Sequence, residues 1–535
     1  MFRSRCLPIS FFAIAFQLFA FASSTPAVPP KTAKNNLANG IQAILKQPQL
    51  SRAQWGIDVI DLESGDTLYA LNADHLFLPA SNAKLLTTAS ILATAGPDYR
   101  FHTTIETSGD LGGDGRLLGN LNIVGRGDPN ISGRVMPYQL KTERVSPPTQ
   151  VLEDLADQLV QRGVKIVDGD VVGDDTFYAP ERYAEGWAQD DLQWLDGAPV
   201  SALSFNDNVV FLKVLPAERL GEKALVTVDP PTDYYEVENR IVTVAAGVAR
   251  KIGIHRDLGS RKLILWGWTP LADKGYGEAL SIEDPAEFTA QIFRGLLEKR
   301  GITITGKTRA QHGDVARFYD QPSAPPGVPA VQPATSPAAS APINPAPILP
   351  LRVLAEHVSL PLLEDLRVTN KTSQNLHAEL ALRLLSELKG TGGSFEGGTA
   401  AVKQFLLQAG IKEEEFYLQD GSGLSRRDLV TPNAIAQLLR YASRQTWGAQ
   451  FEQTLPTAGL DGSLAERFLK TPAAGLVHAK TGTLGHVNAL SGYGQTESGR
   501  RFAFSILCNN HNLRSANVLT AIDSIVKLLV EQLGR

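Results

Sequence analysis

The sequence predicts a mixed α/β fold of the α+β kind: an antiparallel sheet flanked by helices and assembled from both termini, with strand-rich domains inserted between. Three observations predict it. A hairpin followed by a helix stands near the N-terminus. Two strands followed by a helix stand at the C-terminus. The long middle of the chain is rich in short strands with Gly and Asp turns.

At the N-terminal end, Trp55 to Leu68 alternates apolar and polar residues around Ser64-Gly65-Asp66, the pattern of a hairpin with a tight turn. Pro79-Ala80-Ser81 then opens a helical stretch, Lys84 to Ala95, stopped by Gly96-Pro97. At the other end, Val487 to Gly494 and Arg501 to Leu507 read as two strands joined around Thr496 to Gly499. Ala516 to Leu533 then reads as an amphipathic helix. These ends, residues 23–100 and 349–535, are taken as one domain. Residues 101–208 and 270–320 form an inserted domain, and 209–269 a smaller β-rich module nested in it.

An internal echo runs through the insertion. A helical run ends at Arg162-Gly163-Val164-Lys165-Ile166, and another ends at Arg300-Gly301-Ile302-Thr303-Ile304. Both read as helix, glycine stop, strand: either two matching halves of one domain or a common connection used twice. Residues 321–348 are almost all Pro, Ala, Ser, Gln, Val and Gly, a composition that builds a spacer and no core.

Composition excludes several functions. Of 535 residues, 43% are hydrophobic and 20% charged, with a formal net charge of −5, so nothing marks a nucleic-acid surface. The nine histidines are scattered, and no metal-binding spacing is present, so metal catalysis has no support. Arg3 and Arg5, the apolar run Ile9 to Ala22 and the small-x-small site Ala20-Phe21-Ala22 make residues 1–22 a cleavable signal peptide, with an uncleaved anchor as the alternative. No other run approaches a membrane span, so the mature chain is expected to lie in the periplasm with no transmembrane segment. Of the two cysteines, Cys6 lies in the signal peptide and Cys508 in an apolar strand, so no disulfide joins the mature chain.

The chemistry gathers in three short motifs. In Ser81-Asn-Ala-Lys84, serine and lysine share a helix face at the helix start, where a neutral lysine can take the serine's proton. Such a lysine must titrate well below its usual value, which burial and a second cation can bring about. Lys480-Thr481-Gly482-Thr483 precedes the apolar strand. There Lys480 can supply that cation or hold a substrate carboxylate, the glycine leaves room for a substrate backbone along the strand, and the threonines offer donors. Ser373-Gln374-Asn375 opens an amphipathic helix, where Ser and Asn by themselves read as caps.

Ser-x-x-Lys, Ser-x-Asn and Lys-Thr-Gly, in that order, are the set known from penicillin-binding proteins and serine β-lactamases. The stretch from Ser81 to Ser373 takes up more than half of the chain. With Gly125-Arg126-Gly127-Asp128-Pro129, Val172-Gly173-Asp174, Ala198 to Ser204 and Asp420-Gly-Ser-Gly-Leu424, it makes the chain resemble the class C low-molecular-mass penicillin-binding proteins, the D-Ala-D-Ala carboxypeptidase/endopeptidase family related to penicillin-binding protein 4.

The resemblance implies a β-lactamase-like transpeptidase domain with a five-stranded antiparallel sheet. It implies a serine peptidase acting on peptidoglycan stem peptides without a cofactor and blocked covalently by β-lactams. Ser81 would be the nucleophile, Lys84 its base, Ser373 a proton relay and Asn375 a positioning group. Lys480 and Thr481 would organise the site and, with Thr483, receive the terminal carboxylate, while the N–H groups of Ser81 and Thr483 form the oxyanion hole. In some relatives an acidic residue of an inserted domain recognises the stem-peptide amine. Gly186 to Asp191 is the best local match and points to Asp191. The middle residue of Ser-x-Asn, often Asp in relatives, is Gln374 here. Two rival readings are a β-lactamase and a wall-binding protein without activity. The long insertion argues against the first, and the complete motif set against the second.

Overall fold

The computed structural model describes residues 31–140, 144–145, 147–314 and 351–534. The signal peptide and the Pro/Ala spacer lie outside the described residues.

A five-stranded antiparallel sheet is built from both ends of the chain. Its order is Thr67–Leu71, Gln54–Asp61, Arg501–Asn509, Val487–Gln495 and Val477–Leu484. The two strands read from the C-terminal sequence are buried along almost their whole length. That explains why they show no regular alternation of apolar and polar residues: a strand covered on both faces does not alternate. On one face pack Lys31–Leu45 and Ser515–Gln532, through Leu37, Ile41, Ile522 and Ile525. Cys508 lies in this layer, fully buried, and burial pushes its thiol up to about 12. On the other face lies Ala83–Ala95 with Leu362–Lys371, Asn375–Leu388 and Pro432–Ser443 around it. That second layer carries two of the three motifs, and the sheet's outer strand carries the third.

The insertion has sheets of its own. Arg352–Val358, read from sequence as part of the C-terminal domain, pairs antiparallel with His102–Thr107 and forms the outer strand of a five-stranded sheet of the insertion. The last strand before the chain returns therefore lies beside the first strand by which it left. The sequence echo is a spatial repeat: Thr303–Ile304 runs parallel to Ile166–Asp168, and Thr308–Gln311 parallel to Val171–Asp174. Gly163 and Gly301 both take positive φ after the two helices, the left-handed stop a glycine allows. Val209–Leu215 lies between Leu225–Asp229 and Tyr276–Ser281, so the sheet opened at Val209 takes its third strand from beyond residue 269.

Candidate active site

Ser81 sits in a single helical turn, Ala80–Asn82, immediately before the helix Ala83–Ala95. Ala80 is held at φ 47°, a strained value for a residue with a side chain. From Ala83 to Leu92 this helix is buried on every side, so Lys84 has no path to water and cannot snorkel. Its Nζ lies 2.9 Å from Ser81 Oγ, 2.6 Å from Asn375 Oδ1 and 2.8 Å from the Ser422 carbonyl. A neutral amine has two hydrogens and one lone pair. Here it meets two acceptors and one hydroxyl, the set that lets it receive the serine's proton. Asn375 donates through Nδ2 to the Asp196 carbonyl at 2.9 Å, which fixes its oxygen toward the lysine.

Burial pushes the Lys84 amine down to about 8, against Asp420, Glu379, Asp196 and Asp428, which favour its charged form. Burial first, and Lys84 second, hold Lys480 well below the usual amine range.

Lys480 is fully buried on the outer strand Val477–Leu484, which presents one backbone edge to the cleft. It donates to Ser373 Oγ at 2.8 Å and to the Thr481 carbonyl at 2.8 Å. Asn82 Nδ2 donates to the Lys480 carbonyl at 3.0 Å and ties this strand to the nucleophile turn. Ser373 has φ 63°, and the cap of the helix that follows is Gln374, whose side chain accepts from Leu376 N. The serine and asparagine that sequence alone reads as caps instead face Lys480 and Lys84. Thr481 and Thr483 line the cleft with Ser81, Ser373, Asn375 and Asp191. Gly482 does not: a Cβ there would lie 2.9 Å from the Pro79 carbonyl. Its missing side chain admits the nucleophile turn, where the sequence suggested room for a substrate.

Asp191 lies in the cleft wall, 3.8 Å from Arg426 Nη2, and its Oδ2 has no hydrogen-bond partner. Burial raises its carboxyl, with Arg426 opposing. The cleft holds about 480 Å³.

Other contributors carry no signature in the motifs. Ser422 and Asp196 act through backbone carbonyls. Glu379, one turn beyond Asn375 on the same helix, is fully buried and accepts from the N–H groups of Gly421 at 2.9 Å and Ser422 at 2.8 Å. It thereby holds the turn whose carbonyl meets Lys84. In that turn Gly423 has φ 80°, and a Cβ on it would fall 1.9 Å from the Ala80 carbonyl. Gly423→Ala is expected to displace the nucleophile turn. It should lower covalent labelling of Ser81 by a penicillin roughly tenfold or more and stability by about 1–3 kcal/mol. Labelling rates and urea unfolding check both, and unchanged labelling would separate the turn from the site.

The D-Ala-D-Ala carboxypeptidase 3 (S13) family model matches residues 37–317 and 343–532. The D-alanyl-D-alanine carboxypeptidase of Actinomadura sp. (strain R39) is 33% identical over 510 residues, covering 93% of this chain and 85% of that protein. DacB, a D-alanyl-D-alanine carboxypeptidase of Haemophilus influenzae, is 24% identical over 512 residues, covering 94% and 93%. The crystal structure of penicillin binding protein 4 (dacB) from Haemophilus influenzae matches with TM-score 0.74 at 22% identity, covering 92% of this chain and 99% of that one. The fold is thus of the penicillin-binding type expected from the sequence. With the family model spanning most of its length, the chain belongs to the D-Ala-D-Ala carboxypeptidase 3 (S13) family.

Proposed function

We propose that Ser81 is the residue acylated in this carboxypeptidase, by peptidoglycan stem peptides and by β-lactams, and that Lys84 is its base. The observation that carries the reading is the fully buried Lys84 amine, 2.9 Å from Ser81 Oγ and anchored by Asn375 and the Ser422 carbonyl.

In this reading neutral Lys84 takes the Ser81 proton as Oγ attacks the carbonyl between the two terminal D-alanines. The new C–O bond leaves an oxyanion facing the N–H groups of Ser81 and Thr483. Collapse breaks the C–N bond, and Ser373, hydrogen-bonded to Lys480, passes a proton to the leaving amine. The proton held by Lys84 replaces the one Ser373 gave up, and the base, neutral again, deprotonates the water that cleaves the ester. Thr481 and Thr483, which line the cleft, receive the terminal carboxylate, with the buried Lys480 organising the site behind them. Export by residues 1–22 places this chemistry at the periplasmic wall, and no described helix is long and apolar enough to cross a membrane.

The test is to treat the mature protein with labelled penicillin, map the adduct and follow its loss, alongside D-alanine release from a pentapeptide. A persistent ester on Ser81 with D-alanine release supports the reading. Rapid lactam turnover would indicate a β-lactamase, and neither adduct nor release would defeat both. Asp191, in the cleft wall with no hydrogen-bond partner on Oδ2 and only Arg426 at 3.8 Å, is assigned to the side-chain amine of the stem peptide. Charge-assisted hydrogen bonds are worth about 1.5–3 kcal/mol. Asp191→Asn should therefore raise KM about tenfold or more for a peptide with a free amine and leave its N-acetylated analogue unchanged. An equal effect on both peptides would remove Asp191 from this role.

A further inference from the structure

The Ser373–Asn375 motif rests on a buried charge cluster contributed largely by the inserted segment. Asn206, Asp207 and Asn208 follow one another at φ 54°, 57° and 55°, three consecutive left-handed residues and none of them glycine. Such backbone persists only where its surroundings hold it. Here Asn208 Nδ2 donates to the Pro199 carbonyl at 2.8 Å, and Asn206 Nδ2 donates to the Val209 carbonyl at 2.9 Å.

The product of this turn is the aim of one carboxylate. Asp207, 1% exposed, pairs through Oδ2 with Arg134 and Arg144 and accepts from Gln374 Nε2 at 3.0 Å. Its Oδ1 lies 3.2 Å from His377 Nε2, and His377 Nδ1 lies 2.7 Å from Asp365 Oδ1. Gln374 stands between Ser373 and Asn375, and His377 is two residues further on. Asp207 therefore grips the helix start from which one side chain reaches Lys480 and another reaches Lys84. Against burial, which works the other way, Arg134 and Arg144 keep the carboxyl well below its usual range, so it is an anion.

We propose that Asp207 is a positioning residue for the reaction: carried by the inserted segment, it fixes through Gln374 and His377 the turn that aims Ser373 and Asn375. The proposal deepens the acyl-enzyme reading and rests on it. It makes the insertion part of what builds the reactive geometry, and it gives a reason for glutamine at position 374. An acid there would face the Asp207 carboxylate with no donor between them.

The test exchanges the two partners. Gln374→Glu keeps shape and cap acceptor but sets carboxylate against carboxylate. Asp207→Asn keeps shape but removes the anion. The double variant restores one amide–carboxylate bond with its polarity reversed and keeps one anion near the arginines. Each single variant should lower the rate of Ser81 acylation by labelled penicillin tenfold or more. For a pentapeptide the loss should fall on kcat, with KM within about twofold. The double variant should return to within about threefold of wild type. Wild-type acylation by Gln374→Glu would overturn the proposal, as would single losses that simply multiply in the double variant. If Asp207→Asn does not fold, Gln374→Ala replaces it, leaving Asp207 with both arginines. A loss confined to kcat then supports the proposal, and an unchanged kcat overturns it. Labelling of wild-type Ser81 in the same assay reports on the acyl-enzyme reading by itself. Its absence would strike that reading, whereas active variants beside a labelled wild type strike only Asp207.

Discussion

Replacing Lys84 with methionine is expected to slow acylation of Ser81 by a penicillin about a thousandfold or more, and to leave the protein folded and no less stable near neutral pH. The rate follows from chemistry: a positioned general base contributes typically ~10²–10⁴. Among the described residues, Lys84 is the amine within hydrogen-bond reach of Ser81 Oγ. The stability follows from linkage. Burial pushes the amine down to about 8 in the folded chain from its ordinary value of 10.5. A base whose folded pKa is depressed is a burden below that pKa, where both states are protonated, and the burden eases as pH rises from the folded to the unfolded value. A gap of this size corresponds to roughly 3 kcal/mol. Methionine is unbranched, fills nearly the same space and carries no charge, so it relieves that burden and gives up the hydrogen bonds to Asn375 and Ser422. Labelling kinetics with a thermal midpoint measured near pH 7 decides the point. A variant that acylates at the wild-type rate, or one that loses activity only because it unfolds, would reduce Lys84 to a packing residue.

The same residues show what the sequence made legible. The end strands are readable, the N-terminal hairpin from its alternation around a tight turn and the C-terminal pair from their mainly apolar runs, and the nucleophile helix because Pro79 and Gly96-Pro97 bracket it. The three motifs were readable as residue types at fixed spacings. Their convergence was not: it needs the antiparallel register that sets Val477–Leu484 at the sheet's edge and the tie from Asn82 to Lys480. Ser422 and Asp196 contribute main-chain carbonyls, and any residue could supply one. The pairing of Arg352–Val358 is not legible, because its partner, His102–Thr107, lies on the far side of the insertion. Neither segment carries a mark of the other. What fills the space beside Gly482 is hidden for a related reason. The sequence shows that a side chain is absent, and only packing shows that the Pro79 carbonyl occupies the space.

The direction in which pH acts on the reaction follows from the same buried amine. Lys84 accepts a proton only when it holds none, so acylation should rise with pH through a step centred near 8. For a group titrating there, about 1% is neutral near pH 6 and about half near pH 8, a gain of about fiftyfold. Glu379 and Asp420 oppose the depression by favouring the ammonium form, while burial drives it. Burial first, and Asp420 second, raise the Glu379 carboxyl to about 8, so it gains its charge over the same range as the step. Glu379→Gln removes that charge and retains an oxygen to accept from the backbone, so it should move the step to lower pH. This gives the experiment a sign that a loss of folding cannot imitate. A damaged variant is slower at every pH, whereas a retuned base is relatively faster on the acid side. The second-order rate of labelling by penicillin, measured from about pH 5.5 to about pH 9 on both proteins, carries the test. A profile that is flat or falls with pH would mean that the proton of Ser81 leaves by a route other than Lys84, and the geometry of the three motifs would then need another chemical reading.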